Sequence, residues 1–513
     1  MTSIDHWIEA HARFTPNRPA LVFGGATLTY GDMAGAIGRV AAWLRHTRGV
    51  RHGDRVAYLG LNAPDQLLLL FAAARIGAVL VPLNWRLAPP ELAHAVTDSG
   101  ASLVIHQPAF AATFSQMAAV AAMPPAHLCD PATGGLSTST ADSLPVVAGA
   151  TGGGRASDPL LIVYTSGTTG RPKGAVLTQK ALETNALNAV HMQEITATDT
   201  ILTVLPMFHV GGLNIQTTPA LYTGARVILH DRFTPATTLA AIRDERPDLT
   251  VLVPATLSAM IAHPDWERTD LSSLRAVATG SSDVPHMLMR AFIRRGVPVL
   301  QVYGATETGP VAIYQRRGDS EEEFGAIGRA GLHTRARIMV GDRRAEPGEI
   351  GEIELRGGNI TTGYWNRPDA DADTFRDGWF RTGDLALADE GGVFWFKDRL
   401  KNVIISGGEN IYPAELERVL GEIEGLKEAA VVGVADLRWG ESPVAVVVRE
   451  DQALISAETV LKGFDGHLAR YKHPKSVVFV EALPRNALGK IQLDKVRKMA
   501  EDVLGNDSEK QRA

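Results

Sequence analysis

A glycine- and hydroxyl-rich stretch, residues 164–174, constrains the fold of this chain more than any other segment. It reads Tyr-Thr-Ser-Gly-Thr-Thr-Gly-Arg-Pro-Lys-Gly and holds three glycines, four Ser or Thr hydroxyls and one lysine, Lys173. An apolar, β-branched run precedes it at 160–164 and a short apolar run follows it at 175–177, so a strand is predicted on each side of a loop. The next helix is predicted to begin at Thr178, which is a good N-cap residue.

The composition of this loop suits the binding of a polyphosphate. Glycines let several backbone N–H groups converge on one point, the hydroxyls add donors, and Lys173 adds a positive charge. The loop is not a Walker A motif, because Lys173 is followed by Gly174 and a strand instead of a Ser or Thr that enters a helix. A flexible surface turn is the alternative, and the specific order of residues weighs against it.

The order Thr-Ser-Gly-Thr-Thr-Gly-Arg-Pro-Lys-Gly resembles the AMP-binding signature of the adenylate-forming superfamily. This superfamily includes acyl-CoA synthetases, peptide-synthetase adenylation domains and firefly-type luciferases, and the resemblance extends along essentially the whole chain. The chain looks most similar to FadD13-type fatty-acyl-CoA synthetases and to feruloyl-type CoA ligases. Within the loop, the resemblance assigns contacts with ATP to Thr165, Ser166, Gly167, Thr168, Thr169 and Lys173.

The alternation of predicted strands and helices indicates an α/β fold with layered, mostly parallel sheets. One helix is expected at 34–44, and a buried helix running into a strand is expected across 64–83. The resemblance implies a large N-terminal domain with a β-rich subdomain and a small, mobile C-terminal α+β domain. We therefore expect the large domain at 1–397, a hinge at 398–401 with Asp398, the small domain at 402–505 and a frayed tail at 506–513.

Composition excludes several classes of protein. The 513 residues carry a net charge of −6 without a long basic run, so nucleic-acid binding has no electrostatic support. The single cysteine, Cys129, allows neither an intrachain disulfide nor a zinc cluster and favours a reducing cytoplasm. The most apolar stretch, 67–83, is interrupted by Arg75 and Gly77, so no transmembrane segment is expected.

A second motif, residues 303–308, follows a predicted strand at 299–302. Open α/β sheets bind ligands at this edge, and a carboxylate beside a phosphate loop suits Mg²⁺. The resemblance assigns Glu307 to Mg²⁺, Thr306 to the α-phosphate, Tyr303 to stacking on adenine, and Gly304 to the border of the nucleotide and the acyl group. A solvated Thr/Glu turn is the alternative for this motif when it is taken alone.

Two C-terminal motifs resemble further nucleotide-binding elements of the superfamily. Asp384, in Trp-Phe-Arg-Thr-Gly-Asp, matches the ribose ligand, and Arg399 matches an arginine that contacts the ribose or phosphate. Lys490, at the end of Pro-Arg-Asn-Ala-Leu-Gly-Lys, matches the lysine that holds the substrate carboxylate and the α-phosphate while charge redistributes. Taken alone, each of these three side chains would more often be a solvated charge or part of an ion pair.

The remaining matches concern the acyl group and CoA. The resemblance places His209 at the gate of the acyl pocket, although a lone histidine after a strand is more often structural. The other pocket residues that it implies are Val210, Gly211, Gly212 and Gly304, and those of a CoA-side loop are Gly407, Gly408 and Glu409. Residues 279–285, which include Gly280, stand where many relatives carry Gly-Gly-Ala-Pro, and their backbone is expected to border adenine and the acyl group. Ser281, Ser282 and Asp283 change the polarity there, which leaves the size and identity of the substrate open.

These motifs together predict an ATP-dependent carboxylate–CoA ligase. The acid and ATP would form an acyl-adenylate and pyrophosphate, and CoA would then displace AMP, with Mg²⁺ as cofactor and Lys490, Thr306, Glu307 and His209 as the residues nearest the chemistry. The segments expected to line the acyl pocket contain no Lys or Arg. A second carboxylate would be unpaired there, so a medium- or long-chain fatty acid or an aromatic acid is expected and a short diacid is not.

Other functions remain open from the sequence alone. A stand-alone adenylation enzyme that loads a carrier protein would share nearly every motif. A non-catalytic nucleotide-binding protein would be expected to lack Lys490 or Glu307, and both are present. Of the alternative functions, a luciferase-like oxygenase is the least expected, although the sequence does not exclude it. The sequence leaves open whether the chain acts alone or as a homodimer.

Overall fold

The computed structural model describes residues 3–136, 153–165, 172–280, 284–319, 321–406, 409–436, 439–451, 453–465, 467–468, 470–486 and 489–510. The chain divides into two compact units. The first comprises Met1–Ala336 and Leu355–Arg381, and the second comprises Arg337–Glu354 and Thr382–Ala513. Each unit has its own hydrophobic clusters and is described by itself below.

The first unit contains two sheets. Its strands are Pro19–Phe23 (β1), Ala26–Thr29 (β2), Arg55–Leu59 (β3), Val79–Pro82 (β4), Leu103–His106 (β5), Ala126–Leu128 (β6), Pro159–Thr165 (β7), Lys173–Thr178 (β8), Thr200–Thr203 (β9), Arg226–Leu229 (β10), Leu249–Leu252 (β11), Ala276–Gly280 (β12), Val299–Tyr303 (β13), Ile313–Tyr314 (β14) and Arg329–Ala330 (β15). One sheet has the order β6-β5-β3-β4-β7-β8 and the other β15-β14-β13-β12-β11-β9-β10-β1-β2. The central strands of both sheets run parallel, as the alternation of elements predicts.

Helices cover the sheets of this unit. Its α-helices are His6–Phe14 (α1), Tyr30–Ala42 (α2), Pro64–Ile76 (α3), Pro89–Ser99 (α4), Ala111–Val120 (α5), Gln179–Gln193 (α6), Val210–Gly212 (α7), Thr218–Thr223 (α8), Pro235–Glu245 (α9), Pro254–Ile261 (α10), His286–Ile293 (α11) and Pro368–Thr374 (α12). Two π-helical turns, Trp43–Thr47 and Leu213–Thr217, extend α2 and α7. The apolar face of α3 belongs to the largest buried cluster, which explains why this stretch is so hydrophobic.

One predicted helix begins earlier than expected. The helix predicted at 34–44 begins at Tyr30, because Thr29 and Asp32 form a capping box: the Thr29 hydroxyl accepts from the Asp32 N–H, and the Asp32 carboxylate accepts from the Thr29 N–H. The periodic apolar pattern alone does not locate this start. Among the described residues, no helix has both the length and the apolar composition that crossing a membrane requires.

The second unit is built mainly from antiparallel strands. The strands from 334 onward are Thr334–Val340 (β16), Arg343–Arg344 (β17), Gly351–Gly357 (β18), Phe375–Arg376 (β19), Trp379–Ala388 (β20), Phe394–Arg399 (β21), Ile404–Ser406 (β22), Glu409–Ile411 (β23), Leu426–Asp436 (β24), Gly440–Arg449 (β25) and Ser476–Phe479 (β26). The order β17-β16-β18-β20-β19, with β21 on β20, forms a β-rich sheet. The sequence predicted a β-rich subdomain within the large N-terminal domain, whereas most residues of this sheet belong to the second unit and β19 belongs to the first. The order β23-β22-β25-β24, with β26 parallel to β25, forms the C-terminal sheet.

Three helices complete the C-terminal part of the second unit: Pro413–Leu420 (α13), Ala457–Lys462 (α14) and Leu493–Lys510 (α15). Buried residues of α13 and α14 share one apolar cluster with β22 and β24, and α15 contributes to a second cluster with the other face of β24 and β25. This α+β arrangement agrees with the fold class expected of a small C-terminal domain.

Candidate functional site

The strands and the helix predicted on either side of the glycine-rich loop are present. Strands β7 and β8 pair antiparallel and bring Thr165 opposite Lys173, where the Thr165 hydroxyl donates to the Lys173 carbonyl at 3.4 Å. Strand β8 runs directly into α6, and the Thr178 hydroxyl caps this helix by accepting from the Ala181 N–H at 3.1 Å. The loop residues Ser166, Gly167, Thr168 and Thr169 lie outside the described residues.

The carboxyl ends of β12 and β13 carry the next candidate residues. The two strands are parallel neighbours, with Gly280 opposite Val302 and Tyr303 one residue further along. A Cβ atom at Gly280 would lie 2.2 Å from the Val302 carbonyl oxygen, so the strands approach here too closely for a side chain. Ser281 and Ser282 lie outside the described residues.

The segment after β13 turns sharply at Thr306–Thr308, a short 3₁₀ turn. The Glu307 side chain on this turn is buried, and its Oε1 atom accepts a hydrogen bond from the Tyr364 hydroxyl at 2.8 Å. The Lys173 ammonium lies 5.4 Å from the centre of the same Tyr364 ring. Tyr364 therefore connects two residues that the sequence motifs single out, and sequence reasoning missed it because nothing in its local pattern indicates a site.

The residues of this turn fit a magnesium ion that also binds phosphate. Within the described ranges, no group of three or more His, Cys, Asp and Glu side chains is placed to hold a metal ion. Mg²⁺ needs no such cage, because it is commonly held by one or two carboxylates together with substrate phosphates and water. The single buried carboxylate of Glu307 is a donor of this kind.

His209 is half-buried and precedes the short helix α7, which contains the candidates Val210, Gly211 and Gly212. Its ring lies 4.9 Å from the ring of Phe208. A narrow cavity beside these two rings is lined further by Pro82, Leu83, Asn84, Leu87, Leu92, Ala95 and Tyr164.

The two glycines of α7 have different surroundings. A Cβ atom at Gly212 would lie 2.3 Å from the Pro206 carbonyl oxygen, so this glycine permits the tight turn. At Gly211 the nearest heavy atom would be 4.0 Å away, on the Ile215 side chain, so a Cβ atom there would make only an ordinary van der Waals contact. Gly304 resembles Gly212, because a Cβ atom there would lie 1.8 Å from the Pro310 carbonyl oxygen.

A buried asparagine joins three of these segments. The Asn185 side chain, on α6 after the phosphate loop, donates to the Asn214 carbonyl at 2.7 Å and accepts from the Val311 N–H at 2.8 Å. Asn214 in turn donates to the Gly309 carbonyl at 3.0 Å. These hydrogen bonds join three segments in one buried network: helix α6, which follows β8, the segment after His209, and the segment after Glu307.

In the second unit, Asp384 and Arg399 stand opposite each other on β20 and β21. The Arg399 Nε atom lies 3.3 Å from Asp384 Oδ1, and the Arg399 side chain is half exposed. The Thr382 hydroxyl supports this pair by accepting from the Asp384 N–H at 3.1 Å. The two residues predicted to contact ribose and phosphate are therefore adjacent.

Asp398, the predicted hinge residue, is buried at the end of β21. Its carboxylate accepts from the Ala414 N–H at 2.8 Å, near the start of α13, and from the Arg399 N–H at 2.6 Å. Burial raises the pKa of this carboxyl, and the two backbone donors oppose that shift. The side chain thus links the end of β21 to the first turn of the next helix.

Lys490 is exposed on a tight loop of the second unit. The Asn486 side chain accepts from the Lys490 N–H at 3.0 Å, the Asn486 N–H donates to the Lys490 carbonyl at 2.9 Å, and Arg485 donates to the Gly489 carbonyl at 2.7 Å. The Pro-Arg-Asn-x-x-Gly-Lys order therefore has a local structural basis, because its Arg and Asn brace the turn that presents the lysine.

The CoA-side candidates are only partly described. Glu409 is exposed and begins β23, where it pairs with Ser406 of β22. Gly407 and Gly408 lie outside the described residues.

The candidate residues are divided between the two units. Those in the first unit are Thr165, Lys173, His209, Val210, Gly211, Gly212, Gly280, Tyr303, Gly304, Thr306 and Glu307, and those in the second unit are Asp384, Asp398, Arg399, Glu409 and Lys490.

Comparison with protein families gives two matches. The family described as AMP-binding enzyme matches residues 8–365, and the family described as AMP-binding enzyme C-terminal domain matches residues 415–490. The first match includes the phosphate-loop and Glu307 motifs, and the second ends at Lys490.

Individual relatives align over nearly the whole chain. An indoleacetate–CoA ligase from Aromatoleum aromaticum is 47% identical and covers 97% of this chain and 98% of its own length. A feruloyl-CoA synthase from Amycolatopsis is 42% identical over 96% of this chain and 98% of its own. The ATP-bound crystal structure of MatB from Rhodopseudomonas palustris superposes with a TM-score of 0.87 at 32% identity, over 97% of this chain and 99% of that one.

Proposed function

The chain belongs to the family of AMP-binding enzymes and is an ATP-dependent carboxylate–CoA ligase, and on that premise we propose that its acid is aromatic. The observation that carries the proposal is the similarity, at 47% and 42% identity over nearly the full length, to relatives named for indoleacetate and ferulate. A relative named for long-chain fatty acids is less similar, at 35% identity.

The reaction needs two steps because a free carboxylate is a poor acyl donor. Attack of a carboxylate oxygen on the α-phosphorus of ATP forms the acyl-adenylate and releases pyrophosphate. The CoA thiolate then attacks the acyl carbon, and AMP leaves as a stable phosphate anion. The enzyme must stabilise charge on the phosphates in the first step and admit a thiol in the second.

In the first unit, Thr165, Lys173 and the loop between them are proposed to hold the ATP phosphates. Thr306 is proposed to contact the α-phosphate and Tyr303 to stack on adenine. Mg²⁺, held by Glu307, would neutralise phosphate charge when bound.

In the second unit, Asp384 and Arg399 are proposed to contact the ribose, since an aspartate can accept from both sugar hydroxyls. Lys490 is proposed to bridge the substrate carboxylate and the α-phosphate in the adenylation step, where its compact charge is most effective. The part of the chain after Asp398 would then rotate about this residue. The rotation would move Lys490 out of the site and bring the loop with Glu409 toward it, so that CoA can enter. The buried carboxylate of Asp398 supports a fixed pivot at this position, because it joins β21 to α13.

The surroundings of His209 support an apolar, flat substrate. The segments 207–216, 254–258, 278–282 and 301–310 contain no Lys or Arg, so a second substrate carboxylate would be buried without a partner. The Phe208 and His209 rings offer faces and edges for an aromatic ring, and a Cβ atom at Gly211 would meet no heavy atom closer than 4.0 Å.

A panel of acids tests the proposal directly. The enzyme is incubated with ATP, Mg²⁺ and CoA together with indole-3-acetate, phenylacetate, ferulate, octanoate, palmitate or malonate, and AMP release is measured. The highest kcat/KM is expected for an aryl acid and the lowest for malonate. A clear preference for octanoate or palmitate would overturn the aromatic assignment while leaving the ligase activity intact.

The same assay separates CoA from a carrier protein as the acyl acceptor. Thioester formation with free CoA is expected, whereas pyrophosphate release without a CoA thioester would favour carrier-protein loading.

A cytoplasmic location is also proposed, because the single cysteine, Cys129, is a buried free thiol. The homodimer stays a prediction, which sedimentation measurements would test.

A further inference from the structure

Tyr364 makes a direct contact with the candidate magnesium carboxylate. Its hydroxyl donates to Glu307 Oε1 at 2.8 Å across 57 residues of sequence. The Glu307 side chain is buried and Tyr364 is partly buried, and a hydrogen bond from a neutral donor to a buried carboxylate is stronger than one at the surface. The contact therefore fixes the orientation of the carboxylate.

The face of the same ring meets the phosphate-loop lysine. The Lys173 ammonium lies 5.4 Å from the ring centre, within the range of a cation–π interaction. One aromatic side chain thus contacts a cation through its face and an anion through its hydroxyl. Its position constrains both charged groups at once.

The backbone around Tyr364 is held on both sides of this contact. Residues 359–365, the bridging segment, bind β8 through bonds from the Val176 N–H to the Gly363 carbonyl at 3.0 Å and from the Trp365 N–H to the Gly174 carbonyl at 2.7 Å. The Thr361 N–H donates to the Glu307 carbonyl at 2.6 Å. The segment therefore connects the strand that begins at Lys173 with the turn that carries Glu307.

We propose that Tyr364 is a positioning residue that holds the Glu307 carboxylate and the Lys173 ammonium in one fixed arrangement for the metal–nucleotide complex. This rests on the proposed roles of Glu307 and Lys173. With Oε1 engaged by the phenol, the carboxylate has a single orientation toward the metal and does not have to be ordered when the nucleotide binds.

The experiment uses Tyr364→Phe, which removes the hydroxyl but keeps the ring beside Lys173. Binding of Mn²⁺ in the presence of ATP, followed by electron paramagnetic resonance, is expected to weaken about five- to tenfold. Adenylation, measured by pyrophosphate release, is expected to fall about tenfold or more, the scale of one hydrogen bond to a charged group. Thioester formation from a synthetic acyl-adenylate is expected to stay within about twofold of wild type, because it needs no metal–triphosphate contact.

Tyr30→Phe is the matched control. The Tyr30 hydroxyl is buried in the same unit and donates to the carbonyl of Ala225, which is not a candidate residue, at 2.7 Å. The Tyr30→Phe substitution should lower the melting temperature about as much as Tyr364→Phe does, but it should leave Mn²⁺ binding unchanged. Equal Mn²⁺ binding in Tyr364→Phe and wild type would overturn the proposal.

A double-mutant cycle identifies Glu307 as the group through which Tyr364 acts. In a Glu307→Gln background, Tyr364→Phe should change Mn²⁺ binding and adenylation less than twofold further. Fully additive losses would contradict the proposal. If wild type released no AMP with any acid, the ligase function would fail, whereas the Mn²⁺ measurements would still decide the role of Tyr364.

Discussion

Replacing Asn185 with leucine should destabilise the first unit and disturb the candidate site together. Leucine has the same branched shape but is larger, and it has neither a donor nor an acceptor. The Asn214 carbonyl and the Val311 N–H would each lose a buried hydrogen bond that Asn185 now provides at 2.7 and 2.8 Å. Asn185 is completely buried, so water does not replace the lost side chain without a structural change.

The size of the effect follows from these two contacts. Leaving a buried polar group without a partner costs about 1–3 kcal/mol, and two such groups give about 2–6 kcal/mol. The exposed residue Lys180 on the same helix provides the control, because Lys180→Ala should change stability by less than about 0.5 kcal/mol.

Urea unfolding gives the free energy, and hydrogen–deuterium exchange gives the location. Protection of the Val311 amide should fall in Asn185→Leu, and kcat/KM for the preferred acid should fall with it, because Val311 follows the turn that carries Glu307. An unchanged unfolding midpoint with full protection at Val311 would refute the reasoning. It would mean that the local structure replaces both hydrogen bonds at no cost.

Two further substitutions test separate parts of the site. Lys490→Ala should reduce adenylation by about 10²–10³ while thioester formation from synthetic acyl-adenylate survives better, and equal loss in the two steps would count against the assigned role. Gly280→Ala would place a Cβ atom 2.2 Å from the Val302 carbonyl oxygen, so it should cost about 1–3 kcal/mol of stability and raise the KM for ATP. A melting temperature and an ATP KM equal to those of wild type would show that β12 and β13 separate without cost.

Local signals in the sequence predicted much of the fold. The two strands and the helix predicted on either side of residues 166–171 are confirmed, because apolar runs and an N-cap at Thr178 act over a few residues. The buried character of α3 is confirmed for the same reason, since its run of apolar residues leaves no polar face. The start of α2 at Tyr30 was not predicted, because it depends on the capping box between Thr29 and Asp32.

Contacts across long sequence separations explain what the sequence did not reveal. Tyr364 reaches Glu307 across 57 residues, and Asn185 reaches Val311 across 126. Each of these residues lies in a stretch whose local pattern is ordinary, and its importance arises only from the partner that the fold brings to it. The motif residues could be identified individually from their order, but the side chains that hold them could not.

The distribution of candidates between the two units explains why one protein can run both steps of the proposed reaction. Lys173 and Glu307 belong to the first unit and are fixed by the bridging segment, so the phosphate and metal contacts need not change between steps. Lys490 belongs to the second unit, where Asn486 and Arg485 hydrogen-bond to the backbone of Lys490 and Gly489. In the proposed mechanism, Lys490 would bring its charge to the α-phosphate for adenylation and would leave room for a thiol during thioester formation. We therefore infer that the metal and phosphate contacts act as the constant part of the mechanism, and that the part of the second unit after Asp398 supplies the groups that alternate.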